Sequence, residues 1–290
     1  MSTDPKPIVT NAPDPVSVVS GGTPYVLTGA LAVVSALACL TALAVPDAIQ
    51  SPAVTVGNMR GTALVLLVVT LPVLVVSANA VARGRDAWLI GWLGAVGSIA
   101  YQSVLFLFGT PFNPFFHLYV AMLSLAIWSV VAIMARLPVA QVERRLGARA
   151  PRRLVAGYLL VNAALFALLW LKATVPAVFS PMPPAFLDGS GMVTGPVQVI
   201  DLAFTLPLMV LAAWRLLRGQ TWGRLLSGAL LVMLAIETTS IAVDQWVGHA
   251  ADPASPAASD ALTPVFAVLT AVGLVVLARF LGWAPGGRER

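Results

Sequence analysis

Eight apolar runs, each about 20 residues long, constrain the fold of this chain more than any other feature. A helix of that length spans the hydrocarbon core of a bilayer and satisfies its own backbone hydrogen bonds there. Hydrophobic residues make up 59% of the chain and charged residues 10%, whereas soluble domains hold about 25% charged residues. The sequence therefore predicts an all-α membrane protein with eight transmembrane helices, at residues 25–45, 61–81, 87–108, 114–135, 154–173, 197–217, 222–243 and 262–281.

The lysine and arginine residues are distributed unevenly among the connections between these runs. Only Arg60 and Lys172, of 17 such residues, fall on one predicted side of the membrane. By the positive-inside rule, the cation-rich side faces the cytoplasm, so both termini are expected there. The net charge of +5 belongs to these connections, and no hydrophilic stretch is long enough to form a nucleic-acid-binding domain.

An internal repeat is visible in the second and sixth runs. The tripeptide Thr-Leu-Pro at 70–72 recurs at 205–207, and the same offset of 135 residues sets Gln102 opposite Glu237. Because each repeating unit has an even number of spans, the two halves keep the same orientation, as in transporters with parallel repeats. The sequence predicts two parallel four-helix repeats related by an axis along the membrane normal.

The repeat and the charge pattern together predict the organisation of the chain. The predicted parts are a disordered cytoplasmic tail at 1–24, a first four-span repeat at 25–136, a basic cytoplasmic linker at 137–153, a second four-span repeat at 154–283 and a basic tail at 284–290.

Two apolar runs carry acidic residues where lipid disfavours them. An acidic side chain at the centre of a membrane helix costs about 2.5–3.5 kcal/mol, so such residues face a bundle interior, pair, or mark a pathway. At about 1.5 Å per residue, Asp201 and Glu237 are expected at one depth, near polar residues of the third and fourth runs. The candidate ligand- or proton-binding residues are Asp201, Glu237, His117, Gln102, Gln198, Asn113 and Asp244.

Three classes of function are compatible with this polar set. The first is binding or transport of a small solute through a polar, outward-facing cavity, coupled to protons by Asp201 and Glu237. The second is a membrane-embedded enzyme that acts on a lipid or quinone, with Glu237 and His117 as acid and base. The third is a structural subunit of a membrane complex. Polar contacts between helices also serve packing alone, which is the favoured interpretation for Gln102, Asn113 and Gln198.

Several other chemistries lack their usual signatures. Cys39 is the only cysteine, which excludes an intrachain disulfide and a thiolate metal cluster. No Gly-x-Ser-x-Gly elbow, phosphate loop or paired-histidine spacing is present, so neither catalytic residues nor metal ligands are assigned, and no cofactor is identified. The expected partners are the lipid bilayer, a small solute, and a second copy or another membrane protein, but not nucleic acid.

Two segments resemble known sequences. The runs Phe-Gly-Thr-Pro-Phe-Asn-Pro-Phe-Phe at 108–116 and Pro-Val-Gln-Val-Ile-Asp-Leu at 196–202 look like segments of uncharacterised multi-span integral membrane proteins of bacteria. That resemblance carries no function and no residue roles. The expected location is the bacterial inner, or cell, membrane.

Overall fold

The structure, a computed structural model, describes residues 19–140, 142, 151–182 and 184–282. Within these ranges every regular element is helical and no strand is present. Eight helices are long and apolar enough to cross a membrane: α1 (Thr23–Ala44), α2 (Ala53–Ala82), α3 (Asp86–Phe108), α4 (Phe116–Met134), α5 (Arg152–Val178), α6 (Pro196–Leu217), α7 (Gly223–Ala251) and α8 (Leu262–Phe280). For the described residues, the prediction of an all-helical fold with eight helices long and apolar enough to span a membrane is confirmed.

Parts of three predicted segments lie outside the described residues. They are the N-terminal tail up to residue 18, most of the basic linker, and the basic C-terminal tail. Helix ends otherwise fall near the predicted ones, except that α2 begins eight residues before position 61 and α7 ends eight residues after position 243. A hydropathy profile shows where an apolar stretch ends. Helices α2 and α7 continue beyond the ends of their apolar stretches because they pack along each other.

Helices α3 and α7 form the centre of the bundle. In their most apolar stretches, 78% and 72% of the residues are buried, against 11% to 50% in the other six helices. The outer helices bury one face and expose aliphatic side chains on the other; in α1, Leu31 and Cys39 are fully buried while Val33 is 61% exposed. Apolar outer faces of this kind suit contact with lipid chains.

Small residues bring α7 into close contact with both α2 and α3. A Cβ atom on Gly61 of α2 would lie 2.6 Å from the Cα atom of Asp244, and one on Gly94 of α3 would lie 2.7 Å from the carbonyl oxygen of Ala229. Distances this short exclude any side chain at either glycine without movement of the backbone. Such close approach is typical of helix packing in membranes, where van der Waals contact replaces the hydrophobic effect.

Two π-helical turns interrupt α2 and α6. They span Leu66–Thr70 and Asp201–Thr205, so they begin 135 residues apart, and each is followed by a Leu-Pro pair. Proline lacks a backbone N–H and its ring clashes with the carbonyl of the fourth residue before it. A wider turn before the proline accommodates that loss, and π-turns inside membrane helices often accompany functional sites.

The two ends of the bundle differ in charge. At one end, which we call the arginine-rich end, Arg136 Nη1 donates a hydrogen bond to the carbonyl oxygen of Ser20 at 3.2 Å. At the other, which we call the long-loop end, Thr55 Oγ1 donates to the carbonyl oxygen of Ser190 at 2.7 Å. The described cations of the arginine-rich end are Arg83, Arg85, Arg136, Arg152, Arg153, Arg215, Arg218, Arg224 and Arg279.

Candidate functional site

Glu237 lies on the face of α7 that packs against α3, and the residue is only 7% exposed. Ser98 Oγ donates a hydrogen bond to Glu237 Oε1 at 2.6 Å, and Gln102 Nε2 donates one to Oε2 at 2.5 Å. Ser98 and Gln102 are one helical turn apart and therefore share a face of α3. Gln102 Nε2 also lies 3.5 Å from Ser240 Oγ. The polar residues expected on the third and seventh runs meet around this carboxylate.

Asp201 is the first residue of the π-helical turn in α6 and is 8% exposed. Trp170 Nε1 of α5 donates a hydrogen bond to Asp201 Oδ2 at 2.8 Å. The side chains of Tyr101 and Thr205 lie close enough to Asp201 to interact with its carboxylate, while the Thr205 hydroxyl donates to the carbonyl oxygen of Ile200 at 3.4 Å. Three helices, α3, α5 and α6, thus supply the surroundings of one carboxylate.

Two adjacent residues of α3 each contact one of the two acids, Asp201 and Glu237. The Tyr101 side chain contacts Asp201, and Gln102 contacts Glu237. Asp201 lies close enough to Glu237 for the two carboxylates to interact electrostatically. We call these two acids with Tyr101 and Gln102 the central acid cluster.

The hydrogen-bond donors to this cluster are neutral. They are an indole, an amide and hydroxyl groups, and no described lysine or arginine lies within ion-pair distance of Asp201 or Glu237. Burial of a carboxylate away from water costs free energy unless the group is paired, hydrogen-bonded or protonated. A proton or a positively charged ligand would therefore neutralise the carboxylates of the cluster and lower the cost of burying them.

Gln102 adds an unsatisfied acceptor to the same place. The residue is 3% exposed, and its buried Oε1 atom has no hydrogen-bond partner in the part of the chain that the structure describes. A buried acceptor without a donor costs about 1–3 kcal/mol relative to a satisfied one. The amide therefore contributes one donor to Glu237 and leaves one acceptor for a further group.

Asp244 lies two turns from Glu237 on α7 and is half-buried. Its Oδ1 atom accepts a hydrogen bond from Gln245 Nε2 at 3.3 Å, and it is within electrostatic range of Glu237. Its backbone is in the close contact with Gly61 described above. Asp244 therefore lies between the central acid cluster and the long-loop end.

Asn113 and Gln198 are buried but have other surroundings. Asn113 Nδ2 donates to the carbonyl oxygen of Pro111 at 3.0 Å, and its Oδ1 accepts from the backbone N–H of Phe115 at 2.9 Å. These local bonds shape the connection between α3 and α4, as asparagine commonly does in turns. Gln198 is 9% exposed and lies at the edge of a groove next to α6.

His117 is not brought to the central acid cluster. Its side chain is exposed, and its ring packs edge-on against Phe116 with 5.6 Å between ring centroids. Tyr119, two residues later, is buried and stacks on Phe106 of α3. Two residues correspond to about 200° around a helix, so a buried Tyr119 turns His117 to the outside. The sequence places His117 at the depth of the acids and in a polar stripe expected to line the same cavity, whereas in the structure its side chain is exposed.

A groove lies at the long-loop end between α5, α6 and the segment that joins them. Its volume is about 600 Å³, and its lining is mostly apolar. Thr174 and Gln198 line it, each about one helical turn from a member of the Trp170–Asp201 hydrogen bond. The groove therefore lies about one helical turn from Asp201 and Trp170, which are not among its lining residues. It is less polar than the outward-facing cavity that the sequence predicts.

Sequence reasoning missed Trp170 and Tyr101. Both are aromatic residues within apolar runs, where they are indistinguishable from packing residues by hydropathy. A signal was nevertheless present, since buried tryptophan and tyrosine need a partner for their N–H or O–H group. Tyr101 also directly precedes Gln102, so it had to lie at the depth of the acids.

Comparison of the chain with models of known protein families, with curated proteins and with solved structures finds no match.

Proposed function

We propose that this protein is a proton-coupled membrane protein of the bacterial cell membrane that binds or transports a small solute, with Glu237 as the group that takes up and releases the proton. The observation that carries the proposal is the setting of Glu237. It is a buried carboxyl in one of the two central helices, held by Ser98 and Gln102 and without a described cationic partner. Acidic residues inside membrane bundles commonly belong to proton or solute pathways.

The arrangement of the acids supports coupling rather than simple packing. Packing between helices needs only neutral polar groups, and Gln102 could form the same contact with an amide. Instead two carboxylates interact across α3, α6 and α7, next to a π-helical turn, a feature often found at functional sites. A change of charge on one acid therefore alters the electrostatic energy of the other.

An enzyme that uses Glu237 and His117 as acid and base has less support. General acid–base pairs work within hydrogen-bond reach of one substrate, either directly or through one water. His117 is exposed at the start of α4, while Glu237 is buried against α3.

The proposal includes an orientation and a symmetry. We place the arginine-rich end in the cytoplasm, following the positive-inside rule, so that the groove opens on the opposite side. We also propose that α1–α4 and α5–α8 are parallel repeats. The equal offset of 135 residues between the two π-turns and between Gln102 and Glu237 supports this relation.

Infrared difference spectroscopy of the purified protein in lipid vesicles tests the role of Glu237. A carboxyl that gains a proton shows a C=O stretching band that its carboxylate lacks, so titration through the neutral pH range should reveal one such band. Glu237→Gln should remove that band and leave the helical content unchanged. The same variant should abolish the pH dependence of solute uptake measured with a panel of small solutes, and Asp201→Asn should weaken solute binding.

Asp260→Asn is the matched control, because Asp260 is an exposed acid at the long-loop end whose carboxylate lies 3.9 Å from His249 Nε2. It should keep both the titrating band and the uptake profile of the parent. If Glu237→Gln keeps the parent's titrating band and pH dependence, Glu237 is not the proton-carrying group and the proposed function is wrong.

A further inference from the structure

We propose that the ligand of this protein is an apolar organic cation carrying a protonated amine, and that its ammonium group binds at Asp201. This inference rests on the proposed function and names the class of its solute. It starts from the balance of donors and acceptors in the central acid cluster. Among the described residues, Asp201 and Glu237 receive bonds only from neutral donors, and the buried Gln102 Oε1 has no donor.

A ligand that complements such a cluster must supply positive charge and N–H donors together. A protonated primary amine has three N–H donors and one unit of charge, as the lysine side chain does. Charge-assisted hydrogen bonds of this kind are about twice as strong as neutral ones. A neutral alcohol of the same shape supplies one donor and no charge, so it leaves the carboxylates uncompensated.

The aromatic partners of Asp201 favour an ammonium group over a bare metal ion. Trp170 and Tyr101 both contact the Asp201 side chain. Trp170 makes this contact through its indole N–H, so the surroundings that it and Tyr101 provide to Asp201 are largely aromatic carbon. Inorganic cations such as Na⁺ instead need a closed shell of oxygen ligands. The oxygen atoms here belong to two carboxylates, one amide and the hydroxyl groups of Ser98, Ser240 and Thr205, and they are spread over three helices.

The groove beside α6 fits the rest of such a molecule. Its volume of about 600 Å³ lies within the range of about 300–1,000 Å³ that small-molecule sites occupy. Val199 and Leu202 of α6 line it together with Phe186 and Ala177, so the wall is apolar. Because Thr174 and Gln198 lie about one turn above Trp170 and Asp201, an apolar body in the groove directs a cationic head group towards Asp201.

Binding at Asp201 should also change the protonation of Glu237. Positive charge next to the two acids favours the ionised form of both, so each bound amine should displace a proton from Glu237 to solvent. The groups that face Glu237 from the packed helices are Asp201 on α6, Tyr101 on α3 and Asp244 on α7 itself. From α2, Arg60 Nε bonds to the carbonyl oxygen of Ala42, and the charged residue of α8, Arg279, lies in its last turn.

Isothermal titration calorimetry of the full-length protein in detergent micelles tests the inference with three probes. They are 2-phenylethylammonium, the neutral 2-phenylethanol, and NaCl. We expect binding of the ammonium probe only. Asp201→Asn should weaken it at least about tenfold, because the substitution removes the charged partner of a buried ammonium group. Asp201→Glu keeps the charge and should retain binding, and Asp260→Asn should match the parent.

Other outcomes would overturn the inference in distinguishable ways. Equal binding of the alcohol would mean that the groove recognises only the apolar body. Sodium binding that is lost in Asp201→Asn, with no amine binding, would assign the cluster to an inorganic cation. If no probe binds while the carboxyl band of Glu237 still titrates, the solute class is wrong and the proposed function stands. If the amine binds at Asp201 but no Glu237 band titrates, the proposed function fails and the amine site stands.

Discussion

Gln102 Nε2 donates a hydrogen bond to Glu237 Oε2, which joins two residues 135 positions apart. The two π-helical turns begin at the same separation, at Leu66 and Asp201. In a protein built of two parallel halves, a position near the axis between them contacts its own counterpart. The pair therefore marks the place where the proposed axis passes, with a neutral amide on one side and an acid on the other.

The coupling between these two residues is measurable in a double-mutant cycle. Gln102→Leu should lower the free energy of unfolding by about 1–3 kcal/mol, because it leaves the buried carboxylate with one donor fewer. The double variant with Glu237→Leu should recover most of that loss, since it removes the unsatisfied acceptor as well. Unfolding in mixed detergent and dodecyl sulfate micelles provides the measurement.

Ser103→Ala serves as the control for that cycle. Ser103 is buried on α3, but its hydroxyl donates only within the helix, to the carbonyl oxygen of Ile99 at 2.6 Å. Its replacement should cost far less than Gln102→Leu. Additive losses in the double variant would show that the amide and the acid act independently.

A second prediction concerns the contact between α2 and α7. Gly61→Ala should destabilise the protein by about 1–3 kcal/mol, because the new Cβ would lie 2.6 Å from the Asp244 Cα atom and force the helices apart. Gly157→Ala in α5 is the matched control, since a Cβ there meets no atom of the described residues within 4 Å. Alanine favours helix over glycine by about 1 kcal/mol, so this control should be neutral or stabilising. Equal thermal midpoints for the two variants would contradict the tight contact.

The helices were predictable from the sequence because a helix that spans the membrane needs an apolar stretch as long as the hydrocarbon core is thick. Seven of the eight starting positions agree within two residues with the predicted spans. The start of α2 and the end of α7 were not predicted correctly. Asn58 in α2, and Asp244 and His249 in α7, lower the local hydropathy although both helices continue through these residues. A helix ends where its packing and capping end, which a hydropathy profile does not report.

The sequence predicted the depth of the site residues in the membrane, but only partly which of their side chains face the interior of the bundle. Placing Gln102, Glu237 and Asp201 at one level needed only the rise per residue, and the structure brings these three together. Whether a residue faces inward depends on which neighbours a helix packs against. Helix α4 packs on α3 through Tyr119, which turns His117 to the outside although its depth was suitable.

A third prediction follows from the proposed repeat. Residues 1–147 and 148–290 expressed as two separate polypeptides should insert independently, because each half then has an even number of spans and both of its ends on one side. They should co-purify through the α2–α7 and α3–α7 contacts, which join the halves at Gly61–Asp244 and Gly94–Ala229. Co-purification lost with a bulky Gly94→Leu change would locate the association at this contact. Failure of the unmodified halves to associate would contradict assembly through it.

The last prediction concerns the orientation of the bundle. The described cations collect at the arginine-rich end, and the long-loop end has only Arg60 and Lys172. Translocation of clustered cations is disfavoured, so the arginine-rich end should remain in the cytoplasm. A reporter fused after Arg290 or inserted near Arg149 should therefore give a cytoplasmic signal. A reporter inserted near Ser255 should give an external signal. Green fluorescent protein and alkaline phosphatase at the same positions provide reciprocal signals. A cytoplasmic signal at Ser255 would reverse the proposed orientation and place the groove, with its access to Asp201, on the cytoplasmic side.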